Sequence, residues 1–122
     1  MQRSNESRGS EWRKWDLHLH CPGTKLNDQF EVPGGDKSDA YCKVLNDSEV
    51  QAFGITDYFS LDGYFRCVAE FTKRYPSSKK VFFPNVELRT SDVVNREQEE
   101  VNLHIIFNPS ISDWEKHARE LY

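Results

Sequence analysis

Apolar and polar residues alternate through Trp15-Asp16-Leu17-His18-Leu19-His20, which is the period of a β-strand with one face turned to a core. In such a strand Asp16, His18 and His20 share one face, and Trp15, Leu17 and Leu19 share the other. Ala52-Phe53-Gly54-Ile55-Thr56 is a short unbroken apolar run that predicts a buried strand, and it ends in Asp57-Tyr58 with the acid at its carboxyl end. Val81-Phe82-Phe83 opens a third strand, which resumes as Asn85-Val86-Glu87-Leu88 after a bulge or break expected at Pro84, a residue with no amide hydrogen for a ladder. Val101 to Phe107 is the fourth strand, closed by Asn108-Pro109.

Between the strands the period changes. Ala40, Tyr41, Val44 and Leu45 recur at helical spacing, with Ser38 or Asp39 placed as N-cap. Tyr64, Phe65, Val68, Ala69 and Phe71 form the stripe of a second helix, which follows a turn at Leu61-Asp62-Gly63 and stops before Pro76. Lys73, Arg74, Lys79 and Lys80 around that stop suit the helix dipole better than a phosphate site. Ser112 or Asp113 is placed to cap a last helix containing Trp114, His117 and Leu121, which is expected to run on to Tyr122. Residues 1–11 are polar and predict a flexible start, after which Trp12 anchors the chain to the fold. Cys21 to Gly35 reads as a long loop leaving strand one, and Thr90 to Glu100, with Asp92, Glu97, Glu99 and Glu100, reads as a solvated loop. This order of elements implies an α/β fold with a mostly parallel sheet.

A chain of 122 residues can form one domain with a core but not two. Its net charge of -4 argues against a nucleic-acid surface driven by counterion release. A phosphate-containing substrate stays open, because bound divalent cations would reverse the local sign. Cys21, Cys42 and Cys67 are odd in number and form no C-x-x-C pair, which points to a reducing compartment. With no apolar run long enough for a signal peptide or membrane span, the expected location is the cytoplasm, without membrane partners.

The chemistry lies in what the strands carry. His18 and His20 come from the first, Asp57 from the second, Glu87 from the third and His104 from the fourth, and carboxyl edges of parallel strands converge on one site. A single His-x-His can be a solvated edge, His104 a core histidine and Asp57 a turn cap. Glu87 between Val86 and Leu88 would be costly to bury without a cation. His18, His20, Glu87 and His104 are the candidate metal ligands, with Asp57 a ligand or a supporting acid and Asp16 placed to orient a histidine through its ring N–H. His117 faces outward on a charged helix and is set aside. Mixed imidazole and carboxylate donors suit Mn, Zn or Fe, and the natural reaction of such a cluster is phosphoester hydrolysis.

Asp16-Leu17-His18-Leu19-His20, Gly54-Ile55-Thr56-Asp57, Pro84-Asn85-Val86-Glu87 and Asn102-Leu103-His104-Ile105 together resemble the polymerase-and-histidinol-phosphatase (PHP) superfamily of metal-dependent phosphoesterases. More narrowly, Trp12 to His18 and Gly54 to Tyr64 resemble the PHP module at the N-terminus of large bacterial AAA or SMC-like ATPases suspected of nucleic-acid processing or phage defence. The resemblance implies a distorted β/α barrel of which residues 12–122 supply the first four strands, and the expectation is an incomplete domain. It also implies divalent ions, a phosphate-ester substrate that includes nucleic acid among its candidates, and an ATPase region C-terminal to the module. Tyr58 stands where that family commonly has histidine. A module that keeps the fold without hydrolysis is the alternative; a structural zinc domain is disfavoured because paired thiolates are lacking.

Overall fold

Residues 12–23, 37–93 and 100–121 are described by the computed structural model, and the elements below are those of the described residues. In chain order they are β1 (Lys14–His20), α1 (Lys37–Asp47), β2 (Val50–Tyr58), α2 (Asp62–Arg74), β3 (Val81–Val93), β4 (Glu100–Ile106) and α3 (Trp114–Arg119). The flexible start expected at 1–11, most of the loop expected after β1, and Glu97, Glu99 and Tyr122 lie outside the described residues.

The four strands form one curled sheet in the order β1-β2-β3-β4. β1 with β2 and β2 with β3 are parallel, each pair joined across a helix, whereas β4 runs antiparallel to β3. The sheet is therefore mixed, not mostly parallel. The chain between Val93 and Glu100 is too short for the crossover of about a dozen residues that a parallel neighbour requires. Residues 90–93, expected in a loop, extend β3 instead.

Pro84 does not interrupt β3, which is continuous from Val81 to Val93. Its carbonyl accepts the Phe107 amide hydrogen at 3.0 Å, just past the last residue of β4. Backbone N and O of one strand residue point the same way, so the missing N–H falls where that ladder is already ending.

Both long helices cover one face of the sheet. Tyr41, Cys42 and Leu45 of α1 and Tyr64, Cys67 and Phe71 of α2 close on Phe53 and Ile55, with Leu19 and Phe82 packed against them. Full burial of a large apolar side chain contributes about 1.5–3 kcal/mol, so this cluster is the main source of stability. Val44 and Phe65, expected on the apolar stripes, are exposed, and Trp12 is fully exposed and anchors nothing. α2 ends at Arg74, since the residue before Pro76 is disfavoured in helical geometry. α3 is a short helix, and Asp113 at its start has φ 64° and makes no side-chain capping bond; a carboxylate caps only from an extended backbone. Among the described residues no helix is long and apolar enough to cross a membrane.

β1 carries an irregularity that its alternating sequence conceals. Trp15 and Asp16 pair with Ala52 and Phe53, but Leu19 pairs with Ile55, so Leu17 and His18 together oppose Gly54. A Cβ on Gly54 would lie 2.1 Å from the Leu17 carbonyl oxygen, an approach that only glycine permits. The extra residue reassigns the faces upstream of it. Asp16 falls on the helix-covered face with Phe53 and Leu19, where its charge reaches the Tyr41 phenol, whose pKa is pushed up chiefly by burial. Trp15 falls on the opposite face, its ring 6.1 Å from that of Phe83. Gly54→Ala is expected to cost roughly 1–3 kcal/mol or more, the usual range for overpacking, read as a lower urea midpoint with an unchanged m-value.

Candidate metal centre

Register brings the donors together on the face opposite the helices. Glu87 pairs with Tyr58 on one side and His104 on the other, and two residues earlier Asn85 pairs with Thr56, which in turn pairs with His20. His18 reaches the same face because the bulge precedes it: its Nε2 is 3.2 Å from that of His20. His104 arrives by cross-strand register in the middle of an antiparallel strand, not by the convergence of parallel carboxyl ends.

Glu87 is the centre of the group and is 1% exposed. Its Oε2 lies 3.5 Å from His18 Nε2 and 3.4 Å from His20 Nε2, and its Oε1 lies 3.8 Å from His104 Nε2. His18, Glu87 and His104 each offer one donor atom within 4.8 Å of the others. The His18 side chain is 54% exposed and that of His20 18%, so the group opens to solvent on the His18 side.

Glu87 Oε2 is buried and accepts no hydrogen bond, although two imidazoles stand beside it. An ionised carboxylate held this way is destabilising by several kcal/mol unless a cation offsets it. Protonation of His20 could do so, but burial lowers its pKa below 6.5 and outweighs the upward pull of Glu87. His20 is then a neutral donor at neutral pH. A buried carboxylate oxygen and imidazole nitrogens fit a divalent transition metal, and His18, Glu87 and His104 are the residues placed to hold it, with His20 beside them.

Two expected participants stand elsewhere. Asp16 Oδ1 accepts the His18 backbone amide at 3.2 Å and orients no imidazole ring. Asp57 alternates with Thr56 and turns to the helix side, where its Oδ1 accepts the Tyr58 amide at 2.8 Å and its Oδ2 lies against Gly63 in the first turn of α2. It still acts on His20 through its charge. Tyr58 takes the place on the donor face, its ring stacked on that of His20 at 5.2 Å. His117 is exposed and 3.7 Å from Glu120, away from the group. The cysteines are buried in the helix-side core, and burial pushes the Cys67 thiol up, which keeps it protonated and inert. Arg74 pairs with Glu70 and Asp39, and Lys80 donates to the Ser48 and Val50 carbonyls, so these two members of the basic run have structural partners.

Asn85 is the participant that residue patterns did not single out. It is 2% exposed, its Nδ2 donates to the Leu17 carbonyl at 2.8 Å and to Thr56 Oγ1 at 3.0 Å, and its Oδ1 is 3.3 Å from His104 Nδ1. The available signal was an amide in a buried strand two residues before Glu87, hence on the same face.

Metal-free Glu87→Gln is expected to be at least as stable as the parent, because it removes a buried carboxylate oxygen that accepts no hydrogen bond. With Mn or Zn at 100 times its Kd the parent gains about 2.7 kcal/mol and the variant gains none, read as thermal midpoints. A depressed histidine pKa means that the unfolded chain binds more protons just below pH 6.5. Metal-free stability is therefore expected to fall as pH drops through that window and to be flat above it, with His20→Gln flattening the fall in urea titrations.

Set against models of known protein families, curated proteins and solved structures, the chain matches none of them.

Proposed function

We propose that this chain carries the divalent-metal centre of a phosphoesterase, with His18, His20, Glu87 and His104 as ligands. The observation that supports it is Glu87 Oε2: a buried carboxylate oxygen without a hydrogen bond, ringed by imidazole nitrogens from β1 and, through Oε1, by one from β4. A divalent ion there would lower the pKa of water and offset the charge that develops on phosphoryl oxygens.

The chain's own residues favour an anionic substrate. The donor set contains one carboxylate and three imidazoles, since Asp16 and Asp57 are directed to the helix side, so the two charges of a divalent ion there outweigh the one carboxylate. The exposed His18 edge is the side from which a phosphate ester reaches it. Val86, the neighbour of Glu87 on the opposite face, is fully buried in a cluster with Leu61 and Ala118. The ATPase-linked setting in a protein that processes nucleic acid or defends against phage rests on the sequence resemblance to the PHP superfamily, and the cytoplasmic location on cysteine usage and the lack of a long apolar run.

A second reading has one observation in its favour. Tyr58 stacks on His20 with a phenol, a poorer metal ligand than an imidazole, which suits a module that binds an ion without hydrolysing esters. The two readings part in one assay, hydrolysis of an aryl phosphate and an aryl phosphodiester with added Mn. Turnover that falls to background in His18→Ala and His20→Ala is the expected result. Turnover unchanged by both removes the phosphoesterase reading, and stoichiometric Mn without turnover favours the binding module.

A further inference from the structure

The hydrogen bonds around Asn85 leave only one arrangement of protons. A backbone carbonyl only accepts, so the Asn85 amide atom 2.8 Å from the Leu17 oxygen is the nitrogen, Nδ2. Its other hydrogen goes to Thr56 Oγ1 at 3.0 Å, whose own proton is given to the Gly54 carbonyl at 3.2 Å. Both amide hydrogens are committed, and the side chain cannot flip. Oδ1 then faces His104 Nδ1 at 3.3 Å, and an amide oxygen only accepts, so Nδ1 carries a hydrogen. A neutral imidazole has one N–H. The lone pair is left on Nε2, the nitrogen 3.8 Å from Glu87 Oε1.

We propose that Asn85 is a positioning residue that fixes His104 as the Nδ1–H tautomer, with Nε2 free to ligate, and that it locks the β1 bulge through the same amide. The assignment deepens the metal-centre reading and rests on it for its purpose. At 2% exposure Asn85 meets little competition from water, and it ties β1 to β4 across two intervening strands. One side chain thus sets the tautomer of His104 and holds the Leu17 carbonyl beside which His18 is presented.

The test is long-range proton–nitrogen NMR of the histidine rings in the full metal-free chain at about pH 8.5, two units above the ordinary histidine pKa. His104 is assigned by the signals lost in His104→Gln. A protonated Nδ1 and an unprotonated Nε2 are expected; an Nε2–H ring or an averaged mixture overturns the proposal. In Asn85→Leu, zinc affinity is expected to fall on the order of 10–100-fold, the usual effect of losing a partner that orients a ligand, and unchanged affinity overturns it. The parent spectrum decides the tautomer whether or not that variant folds. If zinc fails to bind the parent while His104 holds the Nδ1–H tautomer, the metal centre fails and the Asn85 assignment stands. Bound zinc beside an Nε2–H ring in the metal-free chain gives the reverse.

Discussion

The approach of the Leu17 backbone to Gly54 decides what faces the carboxylate. Without the extra residue in β1, Asp16 would share a face with His18 and His20 and set a second anion toward Glu87. With it, Asp16 lies on the helix side and the face gathers imidazole donors around a single carboxylate. The Leu17 carbonyl freed from regular pairing is taken by Asn85, which also holds His104. Backbone irregularity, carboxylate environment and histidine orientation are therefore one linked arrangement, and a bulge beside a functional site is the usual use of that device.

The sheet divides its two faces between stability and chemistry. Phe53, Ile55 and Phe82 face the helices, and the alternate positions Thr56, Asn85 and Glu87 face the donors. Because neighbours along one strand serve opposite faces, Val86 is buried on the helix side while Glu87 is buried on the donor side. Asp57 belongs to the core side of this division, packed beside Gly63, and reaches the centre only as a charge felt by His20.

Electrostatics at His20 works against protonation as the answer to the buried carboxylate. Desolvation dominates at His20 and keeps its imidazole neutral, while Glu87 stays buried with an unpartnered oxygen. His20 therefore does not supply the positive charge that the carboxylate needs. The cost of the unpaired carboxylate is what a divalent ion would relieve, and this ties the folding energetics of the site to its proposed chemistry.

The strand and helix order, the helix stop before Pro76 and the grouping of His18, His20, Glu87 and His104 could be read from the chain, because period and residue chemistry are local properties. The placement of Asp16 and Trp15 could not, since it depends on a bulge set by Gly54 on another strand. Nor could the direction of β4, which follows from how few residues link it to β3, or the passage of β3 through Pro84 at the point where its ladder with β4 is ending. Asn85 gave no ligand-like signal because its role lies in partners that are 68 and 19 residues away, Leu17 and His104. Sequence determined which side chains could do chemistry; the register between strands decided which of them meet, because one residue of slip exchanges the two faces of a sheet.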